Sequence, residues 1–132
     1  MTIDIESIVP GETFLKVSIV ASKASVQAYH AAIGIYSQGQ NEEGVIPPTA
    51  VSAMAITEAI TAIGLPPGSI HTAQELQFIT PIQFNDRLNC TARMIQNATR
   101  NGNRFLTIDF SVECHGEISL TGRSSILIPL EQ

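Results

Sequence analysis

Few side chains in this sequence can move a proton near neutral pH, and their positions bound the chemistry open to it. The histidines are His30, His71 and His115. His71 opens "IHTAQELQF", a stretch that also carries Gln74 and Glu75. An imidazole there could serve a substrate slot as acid, base or hydrogen-bond donor. The plainer alternative is a structural histidine, hydrogen-bonded at a loop–strand junction. His30 falls within a helical stretch beside Gln27 and Ala31 and reads as a surface or interface residue; His115 belongs to the turn "CHGE". Glu58 lies on an otherwise apolar helix and must reach water, a hydrogen-bond partner or a subunit interface. The stretch "GIYSQGQNEEG", residues 34 to 44, is polar, glycine-bounded and set between two apolar elements. Such a loop is where a small enzyme keeps catalytic side chains. This one contains neither His nor Asp, and its acids, Glu42 and Glu43, read as solvated.

Other site classes are not supported. Cys90 and Cys114 fit a reducing compartment, and Cys90 alternates with Leu88, Ala92 and Met94 as a buried thiol would. No second Cys or His stands at a ligand spacing familiar from metal sites, so no metal is expected. There is no glycine-rich phosphate loop and no G-x-S-x-G elbow. "NAT" at 97 to 99 matches the glycosylation tripeptide, which chance explains in a chain without a secretory pattern. The acidic opening "MTIDIESIVPGE" is unlike a secretory n-region, and a cytoplasmic location is expected. The net charge of −5 and the scattered basic residues argue against nucleic acid and anionic membrane as partners.

The elements that must position these residues follow from periodicity. With 132 residues the chain suits one domain, spanning 1–132. Only 14% of residues are charged against 44% apolar, so part of the surface is expected to lie under another subunit. "TFLKVSIV" reads as a first strand, followed by a helix from Ser22, a possible N-cap, to Gly34. "PPTAVSAMAITEAITAIG" is the strongest helix signal, starting at a proline pair and stopping at Gly64. Its helical part of about 15 residues is too short and too interrupted for a membrane span. At 100° per residue Ile56, Ile60 and Ile63 form one stripe with Ala53 beside it, and small residues fill the other faces. From residue 70 onward the period falls to two. "IHTAQELQFITPI", "DRLNCTARMIQ", "FLTIDFSV" and "ISLTGRSSILIPL" read as four strands, with "NATRNGNR" and "CHGE" as turns. The expected architecture is α+β: an antiparallel sheet of about five strands curled around one long helix. A sheet of that size leaves an edge, so a dimer is expected, with the final strands able to pair across its axis.

This order, with "VQAYHAAIG" leading into a loop, "VIPPTAVSAMAI" opening a helix and "GSIHTAQELQFITPIQFNDRL" beyond it, resembles the MaoC-like dehydratases and (R)-specific enoyl-CoA hydratases, which have a hot-dog fold. Pro81 and Asp86 stand where that family's H-x-x-Q-E…P-(I/L)-x-x-(G/N)-D-x-L pattern expects them, and Asn85 replaces the usual Gly. The resemblance implies water addition to an α,β-unsaturated acyl thioester, or the reverse, with an Asp and a His converging on one water and a backbone N–H at the start of the helix polarising the carbonyl. Active members carry D-x-N-P-x-H after the first helix. Here Ile35, Ser37 and Gln40 occupy the Asp, Asn and His positions, and none exchanges a proton in that range. The catalytic candidates left are His71 and Glu75, and the implied thioester-binding positions are Gln40, Pro48, Thr49 and Gln74.

Three functions remain open on these residues. One is a hydratase or dehydratase of acyl-CoA or acyl-carrier-protein thioesters with a non-standard acid–base set from His71, Gln74, Glu75 and a partner chain. Another is a non-catalytic acyl-thioester-binding or scaffolding subunit, paired with a hot-dog chain that supplies the missing Asp and His. Last is an acyl-CoA thioesterase. There "PPT" replaces the H-G-G opening, the expected helix acid falls at Ile56, and Glu58 is rotated about 200° away. No cofactor beyond the thioester is implied. The expected assembly is a homodimer or a heteromer with another hot-dog subunit.

Overall fold

The computed structural model describes residues 3–22, 24 and 46–130, so the first expected helix and the loop at 34 to 44, with His30 and Gln40, lie outside the described residues. Five strands form one antiparallel sheet: β1 (Thr13–Val20), β2 (Ile70–Phe78), β3 (Arg87–Arg100), β4 (Asn103–Cys114) and β5 (Glu117–Pro129), in the order β1-β3-β4-β5-β2. One α-helix, α1 (Pro48–Ile63), packs on one face. Among the described residues no helix is long and apolar enough to cross a membrane.

Alternation builds the core. Leu88, Cys90, Ala92 and Met94 of β3 are buried together with Leu106, Ile108, Phe110, Val112 and Cys114 of β4 and Leu120, Ile126 and Ile128 of β5. These side chains point toward α1, while Arg93, Asp109 and Arg123 point away from it. Cys90 is buried as its alternation predicts, and burial first, then the charge of Glu58, pushes its thiol up to about 11.

The helix runs over the residues expected. Pro stands at its first turn, Pro47 offers no side-chain cap, and Gly64 closes it in the left-handed region at φ 61°. Its buried stripe differs from the isoleucine row read from sequence. Ala50, Val51, Ser52, Ala55, Ala59 and Ile63 are buried, whereas Ile56 and Ile60 are half-buried. The reason is size: three alanines at the contact let the helix axis come closer to the sheet than isoleucines would.

One hairpin also differs from expectation in extent. "NATRNGNR" is mostly strand, because β3 continues to Arg100 and the turn shrinks to Asn101 and Gly102, with φ 55° and 77°. Positive φ at both central residues is the two-residue turn that matches strand twist. Asn97 is committed inside the fold, since its amide donates to the carbonyls of Ile5 and Ile8, both at 2.8 Å. The Arg104 guanidinium in turn donates to its Oδ1 at 2.7 Å. The last strand is not free to pair across an axis: β5 is hydrogen-bonded to β4 on one side and to β2 on the other. Among the described residues the outer edges of the sheet belong to β1 and β2.

Candidate functional site

The amino end of α1 stands at one end of the sheet. Pro48 and Val51 meet Phe78, Pro81, Ile82 and Leu120 around a slot of about 20 Å³. Ile46 N–H donates to the Ile82 carbonyl at 2.7 Å, tying the chain entering the helix to the segment after β2. Thr80 Oγ1 donates to Ser119 Oγ at 2.8 Å and fixes the same segment against β5. Pro48 has no N–H, and the N–H of Thr49 finds no backbone partner among the described residues. A helix start without a cap presents exposed donors and the positive end of the macrodipole. Pro48 and Thr49 are both exposed there.

His71 is far from that slot. It pairs with Ile126 at the beginning of β2, whereas Phe78, beside α1's first turn, pairs with Leu120 at the end of it. A strand rises about 3.3 Å per residue, so about 20 Å of β2 separates them. Gln74 pairs with Ser124 and shares the α1 side with His71. Glu75 does not. It pairs with Arg123, whose guanidinium holds Asp109 through Nε to Oδ1 at 2.6 Å and Nη2 to Oδ2 at 2.9 Å. Arg93, Asp109, Arg123 and Glu75 thus alternate in sign across four strands on the face away from α1. They line an open depression of about 490 Å³. That bidentate partner, foremost, and to a lesser degree Glu75 raise the Arg123 guanidinium above its ordinary value.

The separation has a local cause. Residues four apart in a regular strand share a face. The register of β2 slips between His71 and Ala73, leaving Thr72 as an extra residue whose hydroxyl donates to the Ser125 carbonyl at 3.2 Å. This bulge inverts the phase, so His71 and Glu75 end on opposite sides. As a proton-transfer pair within one chain they cannot converge on a single water. Their spacing gave no sign of the bulge.

A second cluster, just before the amino end of β3, was not legible from chain spacing. The residues after Pro81 turn sharply: Asn85 adopts φ 72°, as its replacement of a glycine allows, and the Gln83 N–H donates to Asp86 Oδ2 at 2.9 Å. The β4–β5 hairpin brings Cys114 and His115 to the same place, with His115 Nε2 3.2 Å from Asp86 Oδ1. That N–H from Gln83 is the main influence holding the Asp86 carboxyl below its usual range, with the Cys114 thiol and His115 adding to it against partial burial. Burial, then hydrogen bonding and charge from Asp86, push the Cys114 thiol up. The adjacency of Cys114 and His115 was the one hint in the sequence; only strand pairing reveals Asp86 as the third member.

Glu58 is half-buried on α1, close enough to Cys90 to act on its thiol. This places its carboxylate over the sheet and away from the slot at the first turn.

No family model matches the chain, and no curated protein matches it. Solved structures do. The (R)-hydratase PhaJ1 from Pseudomonas aeruginosa superposes with a TM-score of 0.73 at 18% identity, over 98% of this chain and 88% of that one. A MaoC-like dehydratase from Rhodospirillum rubrum gives 0.70 at 14% identity, over 98% and 99%. The HadBC 3R-hydroxyacyl-ACP dehydratase complex from Mycobacterium tuberculosis gives 0.66 at 14% identity, over 96% and 99%. The chain therefore has the hot-dog fold found in MaoC-like dehydratases and (R)-hydratases, as the resemblance in its motifs implied.

Proposed function

We propose that this chain is an acyl-thioester-binding subunit of a hot-dog hydratase or dehydratase, paired along β2 with a second hot-dog subunit that supplies the acid–base pair. One observation carries the reading. The two groups of this chain that could have replaced the family's Asp and His, His71 and Glu75, lie on opposite faces of β2. The stretch at 34 to 44 offers no His or Asp in their stead.

The division of labour follows from the chemistry. Hydration needs a base to take a proton from water as its oxygen bonds to the β-carbon, and an acid to deliver a proton to the α-carbon. A carbonyl oxygen seated at the first turn of α1 would receive the Thr49 N–H, which stabilises the enolate developing in the transition state. Gln40 and Gln74 are assigned to holding the thioester by hydrogen bonds. β2 is suited to pairing, since its outer backbone edge has no strand beside it among the described residues and Ile70 and Phe78 are 53% and 47% exposed. Hot-dog chains in the HadBC complex associate with one another, which is consistent with such an assembly here.

The test is hydration of crotonyl-CoA, followed by loss of the absorbance of the conjugated thioester. The purified chain alone is expected to give no turnover, and addition of a hot-dog partner with an intact D-x-N-P-x-H loop to restore it. The reading is overturned by turnover of the isolated chain that disappears in His71→Ala. That result would establish the stand-alone enzyme, which the common α1-side placement of His71 and Gln74 favours.

A further inference from the structure

We propose that Asp86, Cys114 and His115 form a binding site for a divalent transition-metal ion of the zinc class, independent of the thioester site. The three side chains come from two elements, the turn before β3 and the tip of the β4–β5 hairpin. One donor atom from each lies within 4.8 Å of the other two. Zinc bonds of about 2.0–2.3 Å hold tetrahedral donors roughly 3.3–3.7 Å apart, so closure of about 1 Å completes the set. His115 can supply that movement because its side chain is 78% exposed and sits at the hairpin tip, while the buried Cys114 and the anchored Asp86 stay fixed.

The donor types decide which ion fits. One thiolate, one imidazole and one carboxylate suit Zn²⁺, Co²⁺ or Ni²⁺; Ca²⁺ and Mg²⁺ take oxygen ligands and have no use for the sulfur. Asp86 is arranged as a ligating carboxylate usually is. Oδ2 is held by the Gln83 N–H at 2.9 Å, which leaves Oδ1, already 3.2 Å from His115 Nε2, aimed at the shared centre. Two further acids flank the tip: Glu113 precedes Cys114, and Glu117 pairs with it in register. They add to the field of a chain whose net charge is −5, which favours a cation. Three protein ligands leave the fourth position to water on the exposed side. On binding, the Cys114 thiol releases one proton to solvent and its sulfur forms the metal bond.

The probe is Co²⁺ added to the full chain stripped with chelator. One equivalent is expected to produce the near-ultraviolet thiolate-to-cobalt charge-transfer band and the visible bands of four-coordinate cobalt, both bleached by one equivalent of Zn²⁺. Cys114→Ser should abolish the charge-transfer band, and Cys90→Ala should leave it unchanged. His115→Gly is the decisive variant. His115 sits at φ 53°, where glycine is at ease, so this variant keeps or raises its melting temperature while binding cobalt at least tenfold more weakly. Asp86→Asn, which keeps an acceptor for the Gln83 N–H, should weaken binding to a similar degree. No charge-transfer band at one equivalent overturns the proposal, as does cobalt binding unaltered in His115→Gly or lost in Cys90→Ala.

Discussion

Strands β4 and β2 belong to the same sheet, each beside β5, and both alternate in sequence, yet they have opposite fates. Every second residue of β4 from Leu106 to Cys114 is buried, with half-buried residues between. Along β2 only Leu76 reaches even half-burial, although Ile70, Leu76 and Phe78 are as apolar as their counterparts. What differs is neighbours: among the described residues β4 has a strand on each side and α1 beneath, and β2 has a strand on one side only. Alternation therefore reports that a strand has two unlike faces. It does not report which molecule covers them.

The comparison can be broken or sharpened by experiment. Phe110 of β4 should carry the largest cost: Phe110→Ala is expected to destabilise by about 3–5 kcal/mol, read from the urea midpoint, since its ring lies directly over Gly122. An effect on the scale of a surface residue would mean that the centre is no better packed than the edge. A pH effect comes next. The folded Cys90 thiol titrates at about 11 against a reference of 9.0, so its stabilising contribution is whole below pH 9 and is lost as pH rises through about 11. Two pH units correspond to roughly 2–3 kcal/mol, and Cys90→Ala should flatten that alkaline limb of the stability curve. Gly122→Ala forces a methyl into the Phe110 ring and should cost about 1–3 kcal/mol by the same measurement. Ser124→Ala should go the other way by about 1 kcal/mol, because the buried Ser124 hydroxyl finds no hydrogen-bond partner among the described residues. Phe78→Lys on the edge should change the stability of the isolated chain by less than about 0.5 kcal/mol. Its effect belongs to association: sedimentation should show pairing weakened at least tenfold, and unaltered pairing would remove β2 from the interface.

Much of the frame was legible in the residues. β1 and α1 fall on the stretches read for them, Gly64 stops the helix in the left-handed region, and Asn85 takes positive φ where a glycine was expected. These features are local, set by period and by backbone sterics. The misses are features that only tertiary contact decides. The stripe of α1 depended on which residues let the sheet approach, and alanines outcompeted isoleucines. The hairpin at Asn101 was shortened because Asn97, polar enough to read as turn, spends its amide on the carbonyls of Ile5 and Ile8. Asp86 and His115 stand 29 residues apart and meet only through the pairing of β3 with β4. The pair His71 and Glu75 was lost to one irregularity in hydrogen bonding that no side-chain pattern encodes.

That irregularity also shields the rim of the sheet from a simple change of length. Removing the single codon for Thr72 would restore an even ladder with His71 still opposite Ile126 and Ala73 still opposite Ser125, so the imidazole would stay on the α1 side and the Glu75 carboxylate on the other. The strand would straighten and its chemistry would not change. Only an edit that draws Thr72 into the ladder, sliding the residues before it by one position, would carry the imidazole to the row of Glu75 and Arg123.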